Sequence, residues 1–115
     1  SFIHMRDMSD ATWRVMEGGK NGDTYHISTN DVISIRDLVA QICARLNVQF
    51  EDHVEIVGER LGKDSAYNLE SSKVRTELNW QNRTSLAQGL DECITWVRDN
   101  FKALKVSPYD YLHKP

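Results

Sequence analysis

The sequence predicts an α/β fold, a small helix-rich domain with few and short strands. Three observations carry that expectation. In two long segments, apolar residues recur at three- and four-residue steps, the mark of helices with one buried face. Two short segments alternate apolar and polar residues, the period of a half-buried strand. Glycine, asparagine and serine fall between these segments, where the chain must turn or cap. The 115 residues suit one domain, spanning 1–115.

Ser1-Phe2-Ile3-His4-Met5 reads as a strand already under way, as expected of a piece cut from a longer chain. Asp7 or Ser9 is placed to cap a first helix bearing Met8, Ala11, Thr12, Val15 and Met16. Gly18-Gly19-Lys20-Asn21-Gly22 ends it, because glycine accepts backbone angles that stop a helix. Asp23 to Ser28 follows as a strand. Ser34 and Asp37 resemble a capping box for a helix whose stripe is Ile35, Leu38, Val39, Ile42, Cys43 and Leu46, closed by Asn47. His53 to Val57 is the next expected strand, and Gly58 to Asp64 a polar loop. Ala66 to Leu69 reads as a brief extended segment. Ser71 or Ser72 caps a short helix with Val74 and Leu78, followed by Asn79-Trp80. Thr84 or Ser85, with Gln88 three beyond Ser85, opens the last helix, its stripe being Leu86, Leu90, Cys93, Ile94, Val97 and Phe101. From Lys102 to Pro115 the expectation is an irregular strap held by Tyr109, Tyr111 and Leu112.

Composition narrows the function. Hydrophobic residues at 40% and charged residues at 27% describe a globular chain, not a disordered one. A net charge of −3 gives no basis for nucleic acid or an anionic membrane as partner. No apolar run approaches the ~20 residues that cross a bilayer, and no signal-peptide core opens the chain, so a cytoplasmic protein is expected. Cys43 and Cys93, on apolar helix faces, are expected to be reduced core thiols. His4, His26, His53 and His113 have no zinc-ligand spacing, so no metal is expected. No tyrosine has a lysine four residues on, and no glycine-rich turn links a strand to a helix, so no catalytic or cofactor residue is assigned. Asp91-Glu92 reads as a solvated helix face, and Trp13, Trp80 and Trp96 as packing residues.

One loop carries chemistry. Glu59-Arg60-Leu61-Gly62-Lys63-Asp64 sets two cations three residues apart around a glycine. Arg60 offers a rigid fork for two phosphate oxygens, Lys63 a compact charge, and Asp64 a carboxylate that holds or neutralises Arg60. By residue chemistry alone, anion binding and a solvated surface loop both remain open.

Several segments, in order, resemble extended short-chain dehydrogenase/reductases acting on nucleotide sugars. Phe2-Ile3-His4-Met5-Arg6-Asp7 resembles the family's Phe-Ile-His-Val-x-Asp, and Tyr25-His26-Ile27-Ser28 its Tyr-Asn-Ile-Gly. Ser34 to Val39 resembles Ser-Val-x-Glu-Leu-Val. Arg60-Leu61-Gly62-Lys63-Asp64 is similar to the Arg-Pro-Gly-His-Asp loop of dTDP-glucose 4,6-dehydratases, with Leu61 for proline and Lys63 for histidine. Ser72-Lys73-Val74, Glu77-Leu78-Asn79-Trp80, Gly89-Leu90 and Ile94-Thr95-Trp96 match the segments that follow. Ile35 stands where those dehydratases often carry asparagine.

The resemblance implies the C-terminal, substrate-binding part of such an enzyme. NAD and the Tyr-x-x-x-Lys pair would lie on an N-terminal Rossmann domain outside these residues, leaving this chain inactive alone. Arg60 would contact the diphosphate of a nucleotide sugar, with Lys63 and Asp64 beside it. The full-length enzyme is expected to be a homodimer. A sugar-nucleotide epimerase or decarboxylase, or a free-standing binding module, are the alternatives. The strand from Thr24 to Ser28 is expected to present an edge that pairs with another copy or stays ragged.

Overall fold

The computed structural model describes residues 1–58, 62 and 68–107. Its helices are α1 (Met5–Gly18), α2 (Ile35–Leu46), α3 (Phe50–His53), α4 (Ser72–Glu77) and α5 (Leu86–Lys105). The helix-rich expectation holds. Among the described residues neither expected strand is hydrogen-bonded into a ladder, and the opening residues 1–4 are likewise irregular. A strand exists only by pairing, and alternation in sequence supplies the side-chain faces without supplying the partner.

α1 begins earlier than either expected cap. His4 is its N-cap, the Nδ1 accepting from the Arg6 N–H at 3.2 Å. Asp7 has a distant task instead. Its carboxylate is buried and accepts the backbone N–H groups of Arg83 at 3.1 Å and Thr84 at 2.9 Å. A buried charge needs such partners, and two amides from a turn seventy-odd residues away satisfy it better than a local cap. At the other end the Gly19 N–H donates to the Val15 carbonyl at 2.9 Å. A Cβ at Gly19 would stand 2.4 Å from that oxygen, so only glycine closes the helix this way. Gly19→Ala is expected to lower stability by about 1–3 kcal/mol, read as a lower urea midpoint.

The other signals hold where expected. Ser34 Oγ accepts from the Asp37 N–H at 3.0 Å, and Asn47 closes α2 in the left-handed region at φ 57°. Ser85 and Gln88 form a reciprocal capping box at the start of α5. α5 continues through Lys105, so Lys102 to Lys105 are helix and not strap. Two lysines in its final turn complement the helix dipole. Tyr109, Tyr111 and Leu112 lie outside the described residues. His53, expected in a strand, ends the one-turn α3; acidic Glu51 and Asp52 in its first turn are the signal that favours helix there.

The core is small. Ala11, Val74 and Trp80 are fully buried, with Ile3, Val15, Tyr25, Ile27 and Leu78 packed around them. Asn79, at φ 48°, turns the chain after α4 and drops Trp80 into this cluster. The Trp80 indole donates to the Asp7 carbonyl at 3.1 Å, while the Arg75 guanidinium stacks 4.8 Å from its ring. Arg75 also donates to the Ser28 carbonyl at 2.8 Å and to Asn82 Oδ1 at 3.0 Å. One cation thus ties three chain segments to the same tryptophan.

Large apolar residues stay outside that core. Met5 is 72% exposed, Met16 67%, and Trp13, Trp96 and Phe101 57% each. Cys43 is buried as expected, but Cys93 is exposed because the α5 stripe it belongs to is only partly covered. The accessible surface, 9743 Å², exceeds the about 6,400 Å² usual for this mass. Helical periodicity marks the face meant for burial. It does not say what buries it.

Candidate functional site

Of the three expected ligand residues, Arg60, Lys63 and Asp64 all lie outside the described residues. Gly62 between them is described. It is exposed, sits in a turn, and holds φ +77°, a conformation glycine adopts at no steric cost. Nothing lies within 4 Å of a Cβ built there, so it is the backbone angle that calls for glycine at this position. Downstream, Glu70 accepts the Ser72 N–H at 2.6 Å at the start of α4, and these hydrogen bonds hold its carboxyl below its ordinary range.

A second feature was not foreseen. A cavity of about 210 Å³ lies among the opening residues, α2 and the start of α5, lined by Phe2, His4, Asp31, Leu38, Leu86 and Gly89 among others. Its walls are mostly apolar. Gly89 creates room for the His4 ring: a Cβ there would come within 3.3 Å of the imidazole Cδ2. His4 is in turn fixed between the Arg6 N–H and the Glu92 carboxylate, 3.4 Å from Nε2. Arg6 hydrogen-bonds Glu92 as well, which holds Glu92 below the usual carboxylate range. Asp91 pairs with Arg45 of α2 at 2.7 Å. The acidic pair expected to be merely solvated therefore bridges α5 to two other segments. No local sequence pattern marks this cavity, because its walls come from segments far apart in the chain.

The cavity can seat an apolar group. Among the described residues no three His, Cys, Asp or Glu side chains converge as metal ligands. No helix is long and apolar enough to cross a membrane among the described residues. Gly18, Gly19 and Gly22 close a helix rather than open one, so they do not fit the pyrophosphate of a dinucleotide.

Comparison with known proteins points to one group. No family model matches the chain. The dTDP-glucose 4,6-dehydratase of Streptomyces niveus is 35% identical over 99 residues, covering 86% of this chain and 29% of that protein. The Haemophilus influenzae dTDP-glucose 4,6-dehydratase is 29% identical over 109 residues, and human dTDP-D-glucose 4,6-dehydratase 27% over 106. The crystal structure of the Bacillus anthracis dTDP-glucose 4,6-dehydratase in complex with NAD superimposes with a TM-score of 0.79 at 28% identity, over 87% of this chain and 31% of that one. The chain spans about 30% of the length of the relatives it matches. In sequence and in fold alike, this chain is similar to a part of the dTDP-glucose 4,6-dehydratases, extended short-chain dehydrogenase/reductases whose ordered motifs it carries.

Proposed function

We propose that the chain is the C-terminal, substrate-binding part of an NAD-dependent nucleotide-sugar 4,6-dehydratase of α/β architecture, working in the cytoplasm and inactive without the rest of the polypeptide. The observation that carries this is the 35% identity to the Streptomyces niveus dehydratase, sustained over 86% of the chain. In this reading Arg60 presents its planar fork to the diphosphate of a nucleotide sugar, Lys63 adds a point charge, and Asp64 orients the guanidinium. Gly62, already left-handed at φ +77°, lets the backbone between the two cations turn sharply. Gripping the diphosphate holds the hexose in one pose, which is how a domain without reactive groups contributes to rate. NAD, when bound, supplies the hydride acceptance and return of a 4,6-dehydration, and in this reading the remaining polypeptide holds it.

The test uses the full-length protein. Incubation with NDP-hexoses is expected to yield the 4-keto-6-deoxy product. Arg60→Ala is expected to weaken dTDP binding, measured by calorimetry, at least about tenfold. Equal binding by wild type and variant would remove Arg60 from the site. A 4-epimer in place of the keto product would replace the dehydratase reading with an epimerase.

A further inference from the structure

We infer that His4 is a protonation-sensitive latch at the start of α1. Neutral, it caps the helix and meets the Glu92 carboxylate of α5; protonated, it lets go of the cap. The inference rests on hydrogen-bond chemistry at one ring and holds whatever reaction the protein serves.

Both ring nitrogens of His4 are committed. Nδ1 accepts the Arg6 N–H at 3.2 Å, so that nitrogen carries no hydrogen. Nε2 lies 3.4 Å from Glu92 Oε2, where a nitrogen bearing hydrogen is the one a carboxylate attracts. Neutral imidazole has a single N–H, and only the tautomer that places it on Nε2 meets both demands. The His4 carbonyl meanwhile accepts the Met8 N–H at 3.0 Å, so side chain and backbone of one residue together start α1. Against α5 the ring sits over bare backbone, since a Cβ at Gly89 would stand 3.3 Å from its Cδ2. The side chain is 15% exposed, and protons can reach it.

A second proton has one place to go. On Nδ1 it points at the Arg6 N–H, and two donors face to face make no bond, so the cap is lost. A cation at a helix N-terminus also opposes the macrodipole. The carboxylates pull the other way. Among the described residues, the titratable and charged groups around the ring are Arg6 and Asp7 of α1, Glu92 and Cys93 of α5, and Asp31 ahead of α2. Glu92 and Asp7 favour the imidazolium, and Arg6, bonded to Glu92, offsets part of that attraction. Cap and carboxylates thus favour opposite protonation states. The ring has a place for each: on the Arg6 N–H when neutral, released toward Glu92 when charged. His4 also lines the cavity among the opening residues, α2 and α5, so the same movement reshapes that wall. Imidazole changes charge between about pH 5 and 8, and the cap is present at the upper end and lost as the pH falls.

Hydrogen exchange of the full-length protein, read by mass spectrometry and corrected for the intrinsic effect of pH, tests the latch. The first-turn amides of Arg6 to Met8, measured relative to the middle of α5, are expected to exchange at least about tenfold faster at about pH 5.5 than at about pH 8. Asp7 and Glu92 are both held below the ordinary carboxylate range and stay ionised across that window. His4→Asn supplies an amide oxygen that caps the helix at either pH, so this variant should stay protected throughout. Glu92→Gln keeps the ring but removes the charge that favours the imidazolium, so the loss of protection should set in at lower pH. Equal exchange at both pH values in the wild type overturns the inference. So does a pH dependence that persists in His4→Asn. Should His4→Asn not fold, Glu92→Gln decides alone, and an onset that does not move overturns the latch.

Discussion

Trp80→Ala is expected to unfold this chain rather than loosen it. Truncating a fully buried tryptophan costs about 3–5 kcal/mol in a domain whose whole stability is of order 5–15. Here the loss is compounded. Trp80 is the largest member of the buried cluster of Ala11, Val74 and Trp80. Its indole N–H satisfies the Asp7 carbonyl, and its ring face supports the Arg75 guanidinium. Removing it takes a second donor from the Asp7 carbonyl and leaves a partly buried cation without its platform. Circular dichroism at 25 °C should show loss of most helical signal. Trp80→Phe, which keeps much of the volume but not the donor, should fold with a clearly reduced urea midpoint. Native-like melting of the alanine variant would show that the cluster is not what holds the helices together.

The second large effect concerns Asp7. Burial disfavours its charged form, but the backbone N–H groups of Thr84 and Arg83, the Thr84 side chain and nearby His4 together outweigh burial and hold it below the ordinary carboxylate range. A carboxylate depressed in the folded state stabilises the fold at pH above its unfolded value, about 3.9. That contribution is lost as the pH falls through the lower, folded value. Asp7→Asn keeps the shape but gives one of the two amides a donor to face in place of an acceptor. It is expected to cost about 2 kcal/mol at pH 7. It should also flatten the acid limb of stability against pH, measured by urea midpoints from neutral pH downward. An unchanged acid limb in the variant would shift acid sensitivity to other groups.

These two residues show where sequence reading reaches its limit. The packing role of Trp80 is readable from the chain, since a tryptophan just past a short helix is well placed to anchor it. The role of Asp7 is not. Standing before an apolar stripe, it looks like a helix cap, and only the approach of residues 83–84 reveals the stronger partner. The candidate site divides in a similar way. The Arg60–Asp64 loop is visible as a cation pair about a glycine, and Gly62 does take the angle that only glycine holds freely. The cavity beside His4 and Gly89 is invisible in sequence, because it is made by three segments far apart in the chain.

By itself, the sequence determined the local elements: the caps at Ser34 and Ser85, the left-handed stop at Asn47, the glycine end of α1 and the apolar stripes of the long helices. Each depends on residues within a turn or two, where backbone angle, capping and periodicity act directly. Tertiary structure alone decided which stripes are covered, that the segment from Thr24 to Ile27 forms no ladder among the described residues, and that the Asp7 carboxylate serves the turn before α5 instead of capping α1. The physical reason is the same in all three. Burial, strand pairing and charge satisfaction are properties of two surfaces meeting, and a local pattern specifies only one of them.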